Sequence, residues 1–489
     1  MVGKQDIRVR IAPSPTGHLH LGTVRTALYN YLFAQKEHGT FILRVEDTDQ
    51  GRSLPIYENE ILDGLRALGL VWQEGPDVGG PYGPYRQTER TEIYKNYIEK
   101  LLSEKKAYYC FCGKEDLEKR REAMLAEGIA PKYAGTCRSL SSEQIAEKVA
   151  AGTPSVIRLL VPDGMEISFD DIIRGSISVM SGTIGDMVIA KNAHTPLFHL
   201  ANVIDDYEMK ISHVIRGEDH ISNTPKQILI QQALGFPRIR YAHIPLVLTP
   251  DRKKMSKRSL ETSFVEYLHD GYLPEALLNF LALLGWMPED GTELLTLPEM
   301  IERFSLKRIQ KSGAAFNIEK LDWFNAQYIK NLSSAELLKR LIPFVPPEWF
   351  LQNNHLMEHA VALERDRIKK LSDFADGAGF LFSIGEYEAS LLAWKESTLA
   401  HASAHLAKVR ELLDDIKSSD FTSAHLDSII MPYAQQAGRG EVLWPLRVAL
   451  SGKQNSPGPF DILAALGKEE SLRRIDMGIA KVAGELSLS

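Results

Sequence analysis

The segment Ile7-Arg8-Val9-Arg10-Ile11, followed by Pro13-Ser14-Pro15-Thr16-Gly17-His18-Leu19-His20-Leu21-Gly22, sets the architecture expected of the first half of the chain. Ile7, Val9 and Ile11 alternate with Arg8 and Arg10, which is the period of a strand. A turn containing Pro and Gly runs to Gly22, and Thr23 is placed to cap a helix. Val24, Ala27, Leu28, Tyr31 and Leu32 recur at helical spacing and make one apolar face. Phe41 to Val45 reads as the next strand. Strand, glycine turn, helix and strand form a βαβ unit, which predicts the start of a doubly wound parallel sheet.

Further along, Glu74 to Tyr85 is rich in Gly and Pro and is expected to be a surface loop. From there to about Leu200 helical and strand signals mix, and all three cysteines fall in this stretch. It reads as an α+β insertion between two halves of the sheet. Ile211 to Ile215 resumes strand character, Thr224 to Leu234 reads as a helix, and Ile244 to Leu248 as another strand. After about Ser259 the texture changes. Pro274 to Trp286, Ser334 to Pro343, Leu356 to Phe374 and Ser403 to Ile416 all have helical spacing, so the last part is expected to be a helical array. Pro274 suits the first position of its helix, where the missing N–H costs nothing.

The bulk numbers bound the class. A chain of 489 residues is too long for one core, and 44% hydrophobic with 25% charged content is ordinary for a globular protein. No stretch approaches the roughly 20 apolar residues of a membrane span, and the strand at the N-terminus leaves no signal peptide to be expected. Three cysteines in so long a chain suggest a reducing cytoplasm. A net charge of -7 counts mildly against a nucleic-acid partner, although it does not report local patches.

Two motifs carry chemistry. In the first, Gly17 and Gly22 let the backbone approach phosphate at a helix N-terminus, and His18 and His20 can donate hydrogen bonds to phosphate oxygens. In the second, Arg252, Lys253, Lys254, Lys257 and Arg258 crowd a short segment around Ser256, after Pro250-Asp251. Lysine is a flexible point charge suited to a leaving pyrophosphate. Taken alone, the first is an ordinary strand-to-helix turn and the second a solvated basic turn. In this order, each after a strand of a different half of the sheet, they read as two halves of an ATP site that makes an adenylate.

On these residues the chain resembles the class I aminoacyl-tRNA synthetases, and within them the bacterial glutamyl enzymes. His20-Leu21-Gly22-Thr23 is similar to the "HIGH" signature, with Thr23 in place of the final histidine, and Lys254-Met255-Ser256-Lys257-Arg258 is similar to "KMSKS". Further similar segments are Arg10 to Gly17, Val45-Glu46-Asp47-Thr48-Asp49, Phe198-His199-Leu200-Ala201-Asn202, Val214 to His220, Tyr272 to Asn279 and Trp444 to Gly452. The resemblance covers nearly the whole chain. It implies a Rossmann-type catalytic domain in residues 1–85 and 200–258, interrupted by an acceptor-end insertion at 86–199. A stem-contact domain at 259–331 and an all-helical anticodon-binding half, 332–391 and 392–489, would follow.

The resemblance also implies ATP-dependent attachment of L-glutamate to tRNA-Glu through a glutamyl-adenylate, with charging of tRNA-Gln left open. Arg10 and Arg216 would grip carboxylates, which suit the arginine fork, with Arg10 nearest the side-chain carboxylate. Glu46 would face the substrate ammonium, and Ala12, Ser14, Phe198 and Asn202 would line the same site, Phe198 standing where an aromatic, often Tyr, contacts the amino acid. Gly17, His18, His20, Gly22, Asp219, Lys254, Ser256 and Lys257 would hold ATP with Mg2+. His20, Lys254 and Lys257 would stabilise the transition state. The expected partners are tRNA-Glu, glutamate and ATP, with no membrane and a monomeric chain in the cytoplasm.

Some relatives bind structural zinc in the insertion. Here Cys110, Cys112, Cys137 and Tyr133 would supply the ligands, with Ser139 where relatives carry a fourth ligand. A zinc site and a degenerate, metal-free site are the two alternatives. Arg52 and Arg367 are the residues implied in tRNA contact, Arg367 within a basic cluster that includes Arg365, Lys369 and Lys370. The motif variants and helical C-terminal half argue against a glutaminyl enzyme. The presence of that half argues against the truncated relatives that modify a tRNA base, and intact motifs argue against an inactive module.

Overall fold

A computed structural model describes residues 6–128, 131–249, 251–253, 263–352 and 354–487. Its opening strand β1 (Arg8–Ile11), helix α1 (Leu21–Lys36) and strand β2 (Thr40–Leu43) form the expected unit, with β1 and β2 parallel and Arg10 opposite Ile42. Val9, Val24, Ala27, Leu28, Leu32 and Phe41 are fully buried in it. The helix starts earlier than expected. His20, not Thr23, is the N-cap, and its ring accepts the Thr23 N–H at 3.2 Å. A ring nitrogen with a lone pair satisfies an orphan N–H of the first turn as a hydroxyl would. Gly39 ends the connection to β2, and a Cβ there would lie 2.4 Å from the Ile7 carbonyl oxygen.

Helix α2 (Pro55–Ala67) follows. The expected surface loop at 74–85 is instead anchored at both ends. The Leu43 N–H donates to the Glu74 carbonyl, Val45 bridges to Arg86, and the Tyr85 hydroxyl donates to the Glu74 carboxylate at 2.6 Å in the interior.

The inserted segment runs through α3 (Thr91–Ser103), β3 (Ala107–Cys110), α4 (Lys114–Ala126), α5 (Ser142–Ala150) and β4 (Val156–Leu159). It continues through β5 (Glu166–Asp171), β6 (Gly175–Met180), β7 (Val188–Asn192) and β8 (Thr195–Pro196). Strands β3-β4-β7-β8 make an antiparallel sheet. After α6 (Phe198–Glu208) come β9 (His213–Gly217), α7 (Thr224–Leu234) and β10 (Arg240–Ile244). The hairpin β5–β6 leaves the insertion's own sheet. It pairs with the catalytic strands in the order β6-β5-β10-β9, with Asp171 opposite Tyr241. At the other edge of β9, the Ser212 N–H donates to the Arg8 carbonyl of β1 at 2.9 Å. The strand expected over 244–248 is split, because Pro245 has no N–H to continue the ladder. Val247–Leu248 (β11) pairs instead with Ala314–Ala315 (β12).

These elements belong to one compact unit, Met1–Tyr267 with Leu277–Ile318; a second comprises Leu268–Ala276 and Glu319–Ser489. Among its described residues the second unit holds helices and turns only, including Leu399–Asp414, Ser423–Ala437, Arg439–Ser451 and Pro459–Leu486. Phe374, Leu406, Leu446 and Ile475 are buried in its core. The helix expected over 356–374 is two helices, Asn354–Glu364 and Asp373–Phe382. Between them the Asp373 carboxylate accepts the N–H groups of Lys369 and Lys370 at 3.0 and 2.8 Å, a local alternative to continuing the helix. Among the described residues no helix is long and apolar enough to cross a membrane.

Candidate active site

At the C-terminal ends of β1 and β9 lies a cavity of about 960 Å³, where ligands bind in parallel sheets. Its lining includes Arg10, Ala12, Ser14, Gly17, His18, His20 and Gly22 from the first motif. Glu46, Phe198, Asn202, Arg216 and Asp219 join them from three other segments. Lys254, Ser256 and Lys257 lie outside the described residues.

Beneath the cavity runs a network of buried charge. Arg10 donates through Nε and Nη2 to the two carboxylate oxygens of Asp206, at 3.0 and 3.3 Å. Arg44 donates to Asp206 at 2.7 Å and to Glu46 at 3.2 Å. Arg90 and the hydroxyl of Tyr94 donate to Asp205. The same Glu46 oxygen accepts from Asn202 Nδ2 at 2.6 Å, and Asn202 Oδ1 accepts from Gln227 Nε2 at 3.2 Å. Gln227 Oε1 then accepts from Arg216 Nη2 at 2.7 Å. Of the residues expected around the amino acid, Arg10, Glu46, Asn202 and Arg216 are thus one connected set, while Ala12, Ser14 and Phe198 join them only in lining the cavity. Three cations (Arg10, Arg44, Arg90) stand against three anions (Glu46, Asp205, Asp206), so this group is neutral in sum. Burial pushes the Glu46 carboxyl up, while Arg44 and Arg10 pull it down.

Arg216 is different. Its Nε donates to His243 Nε2 at 3.2 Å and its Nη2 to Thr224 and Gln227, all neutral acceptors. Among the described residues no carboxylate pairs with it, and nothing takes a hydrogen bond from its Nη1. Burial, and then the nearby Arg10, push it down to about 10. A guanidinium removed from water without a counter-ion is costly, so this position favours an incoming anion.

On the phosphate side, a Cβ added to Gly17 would meet no atom of the described residues within 4 Å beyond its chain neighbours, so the glycine leaves open space in the cavity wall. Gly22 makes room for the His20 ring, whose Nδ1 would be 3.1 Å from a Cβ there. The ring is held by Thr23, the departure from the signature, with Thr23 Oγ1 3.1 Å from His20 Nε2. His18 Nδ1 is 2.7 Å from Glu60. Glu60 also accepts from the Leu19 N–H and from the Ser263 hydroxyl, just past the second motif. Asp219 sits at the rim, its carboxylate folded over Gly217, where a Cβ would come within 2.4 Å.

Sequence reasoning missed Arg44, Asp206, Gln227, His243 and Glu60. Two signals were there: Arg44 shares a strand face with Glu46 by alternation, and Asp205-Asp206 is a carboxylate pair directly after the apolar Val203-Ile204.

The three cysteines and Tyr133 do converge. The sulfurs of Cys110, Cys112 and Cys137 lie within 4.8 Å of one another, all as free thiols. The Tyr133 oxygen is 3.3 Å from Cys110 Sγ and 3.4 Å from Cys112 Sγ, and Cys112 and Cys137 are 3.7 Å apart. Tetrahedral zinc, with bonds of about 2.3 Å to sulfur and about 2.0 Å to oxygen, asks for separations of about 3.5–3.8 Å. The four residues therefore fit the ion. The Cys137 N–H also donates to the Tyr133 oxygen at 3.1 Å, a contact that would steady a phenolate.

Arg52 is exposed and pairs with Asp49 at 2.6 Å. In the second unit, Arg367 is 44% exposed and 3.3 Å from Glu364. Its neighbours are more committed: Arg365 donates to Ser334, Lys370 pairs with Asp270, and Lys369 lies 3.8 Å from Asp322.

Residues 6–323 match the family described as tRNA synthetases class I (E and Q), catalytic domain, and residues 336–479 match the anticodon binding domain. A glutamate–tRNA ligase of Carboxydothermus hydrogenoformans is 43% identical over 96% of this chain and 99% of its own. The chain belongs to the glutamate–tRNA ligase family of class I synthetases. Glutamate–tRNA ligase 1 of Syntrophomonas wolfei is 42% identical over 98% of this chain and 97% of its own. A crystal structure of a glutamate tRNA ligase from Elizabethkingia meningosepticum, in complex with its amino acid, is similar at a TM-score of 0.88. It is 36% identical and covers 97% of this chain and 99% of that one. A synthetase fold with a helical C-terminal half is therefore established. The tRNA-binding family also corrects what the acidic net charge suggested, since the sum over a surface does not report where its cations lie.

Proposed function

We propose that this synthetase joins L-glutamate to tRNA-Glu in two steps. The α-carboxylate of glutamate attacks the α-phosphorus of MgATP, pyrophosphate leaves, and glutamyl-adenylate forms. The 2′-hydroxyl of the terminal adenosine of tRNA then attacks the activated carbonyl and AMP leaves. Both steps depend on positioning and on electrostatic stabilisation.

The observation that carries this reading is Arg216, without a carboxylate partner among the described residues, beside a charge network that is neutral without it. Glutamate brings two carboxylates and one ammonium. Arg216 and Arg10 receive the carboxylates, Glu46 and the Asn202 amide oxygen receive the ammonium, and the substrate's surplus negative charge meets the surplus of Arg216. Ala12, Ser14 and Phe198 complete the walls. Gly17, His18, His20, Gly22 and Asp219 hold ATP, joined by Lys254, Ser256 and Lys257, with His20 and the two lysines stabilising the charge on the transferring phosphorus. Zinc bound by Cys110, Cys112, Tyr133 and Cys137 would brace the insertion, residues 86–199, which receives the acceptor end together with Arg52. Residues 259–331 contact the stem, and 332–391 with 392–489, including Arg367, read the anticodon.

ATP–pyrophosphate exchange tests this, with glutamate or glutamine and with or without tRNA-Glu and tRNA-Gln. Exchange with glutamate supports it, and aminoacylation of tRNA-Gln in the same series would extend its range to that tRNA. Exchange with glutamine alone, or with neither amino acid, overturns it.

A further inference from the structure

The hydrogen bond that Arg216 Nε gives to His243 depends in turn on Asp171, a carboxylate that does not line the cavity. Asp171, the last residue of β5, accepts the N–H groups of Ile173, Arg174 and His243 at 2.9, 2.8 and 3.0 Å. One of its oxygens is also 2.6 Å from His243 Nδ1. Every group facing this carboxylate is a donor, so His243 must present its Nδ1 proton to it. In the neutral ring that leaves Nε2 as a lone pair, and Nε2 is the atom 3.2 Å from Arg216 Nε, which can only donate. His243 and Asp171 are 0% and 4% exposed, so water does not compete for these bonds.

We infer that Asp171 and His243 are positioning residues for substrate recognition, fixing the tautomer that accepts Arg216 Nε and so turning the Nη1 edge of that guanidinium to the cavity. Thr224 and Gln227 hold Nη2, but without His243 the planar group keeps anchors on one side only. Asp171 arrives from the inserted segment, so the insertion contributes a carboxylate to the amino acid site through one imidazole. This inference rests on Arg216 binding a substrate carboxylate.

Steady-state aminoacylation by the full chain, with KM determined separately for glutamate, ATP and tRNA-Glu, tests it. His243→Leu removes the acceptor and is expected to raise the glutamate KM about tenfold or more, with the ATP KM within about twofold. His243→Gln places an amide oxygen near the Nε2 position and is expected to hold the glutamate KM within about threefold of the native value. If His243→Leu does not fold, Asp171→Asn carries the same comparison, with a selective rise in glutamate KM expected. A rise shared equally by glutamate and ATP, no rise, or a failure of His243→Gln to restore the glutamate KM overturns the inference. Arg216→Lys separates the two levels of argument. If it raises the glutamate KM while His243→Leu does not, the inference falls and the pocket assignment stands. If Arg216→Lys itself leaves the glutamate KM unchanged, the pocket assignment falls and takes the inference with it.

Discussion

Asp206 grips Arg10 with both carboxylate oxygens, at 3.0 and 3.3 Å, in a setting where each side chain is 4% exposed. Coulombic and hydrogen-bond contacts from Arg10 and Arg44 hold the Asp206 carboxyl below the usual range against the burial that would raise it. Asp206→Asn leaves two buried guanidinium groups short of one negative charge. Breaking a buried ion pair from one side costs about 3–5 kcal/mol. The variant is expected to unfold at a markedly lower denaturant concentration, and its folded fraction to bind glutamate more weakly. Equilibrium denaturation and the glutamate KM check this. An unchanged midpoint would show that Arg10 and Arg44 find other partners.

The same cluster shows what a sequence can disclose. The βαβ unit, the helical last part and the glycine turn were legible, because each rests on local period or on a motif of fixed spacing, and the grouping of the thiols was legible through resemblance. Arg10, Glu46 and Asn202 were legible as site residues only through resemblance, since a single charged residue in a strand or helix has no distinguishing context. Gln227, Asp171 and His243 were not legible at all, and Asp206 only as half of a carboxylate pair with no partner to point to. Their roles come from contacts across 196 residues (Arg10 to Asp206), 25 residues (Asn202 to Gln227) and 72 residues (Asp171 to His243), which periodicity does not report. The helix start failed for a local reason, a histidine doing the work of a hydroxyl.

Gly17 offers a test of the nucleotide half of the cavity. Among the described residues nothing beyond its chain neighbours lies within 4 Å of a Cβ built there, and its backbone needs no left-handed conformation. Gly17→Ala is therefore expected to change stability by no more than about 0.5 kcal/mol. If the space belongs to ATP, the added methyl raises the ATP KM about tenfold while the glutamate KM moves little. A normal ATP KM would place the nucleotide elsewhere.

The thiol cluster predicts metal content. Chain purified from zinc-supplemented medium is expected to carry about one zinc ion, measured by elemental analysis, and to lose it to a strong chelator with a fall in thermal midpoint. Cys112→Ser removes a thiolate and is expected to abolish stoichiometric zinc. Tyr133→Phe removes the only oxygen ligand of the four and is expected to weaken retention while leaving the three thiols. Native protein that holds no zinc under these conditions would decide for the metal-free alternative.

One buried and two half-buried histidines set the acid side of the stability profile. Burial, and then Arg240, push His213 down to about 4; burial also pushes His199 and His220 down to about 4. Their unfolded value is about 6.5, so the unfolded chain takes up these protons first as pH falls. The stability they contribute is fully present above about pH 6.5 and is lost between there and about pH 4, at up to about 1.4 kcal/mol per pH unit for each group. The depressed carboxyls of Asp171, Asp186 and Asp206 add their loss only below the ordinary aspartate value of about 3.9, by the same sign. His213→Asn is the sharpest probe, because Asn can retain the hydrogen bond that His213 Nδ1 shares with Ser212 Oγ at 2.9 Å while carrying no titrating group. Whatever its stability at pH 7.5, its denaturation midpoint should fall less steeply than the native one between pH 6.5 and 4.5. Parallel slopes would mean that His213 reaches a proton in the folded state, and that the interior around β9 is wetter than its packing indicates.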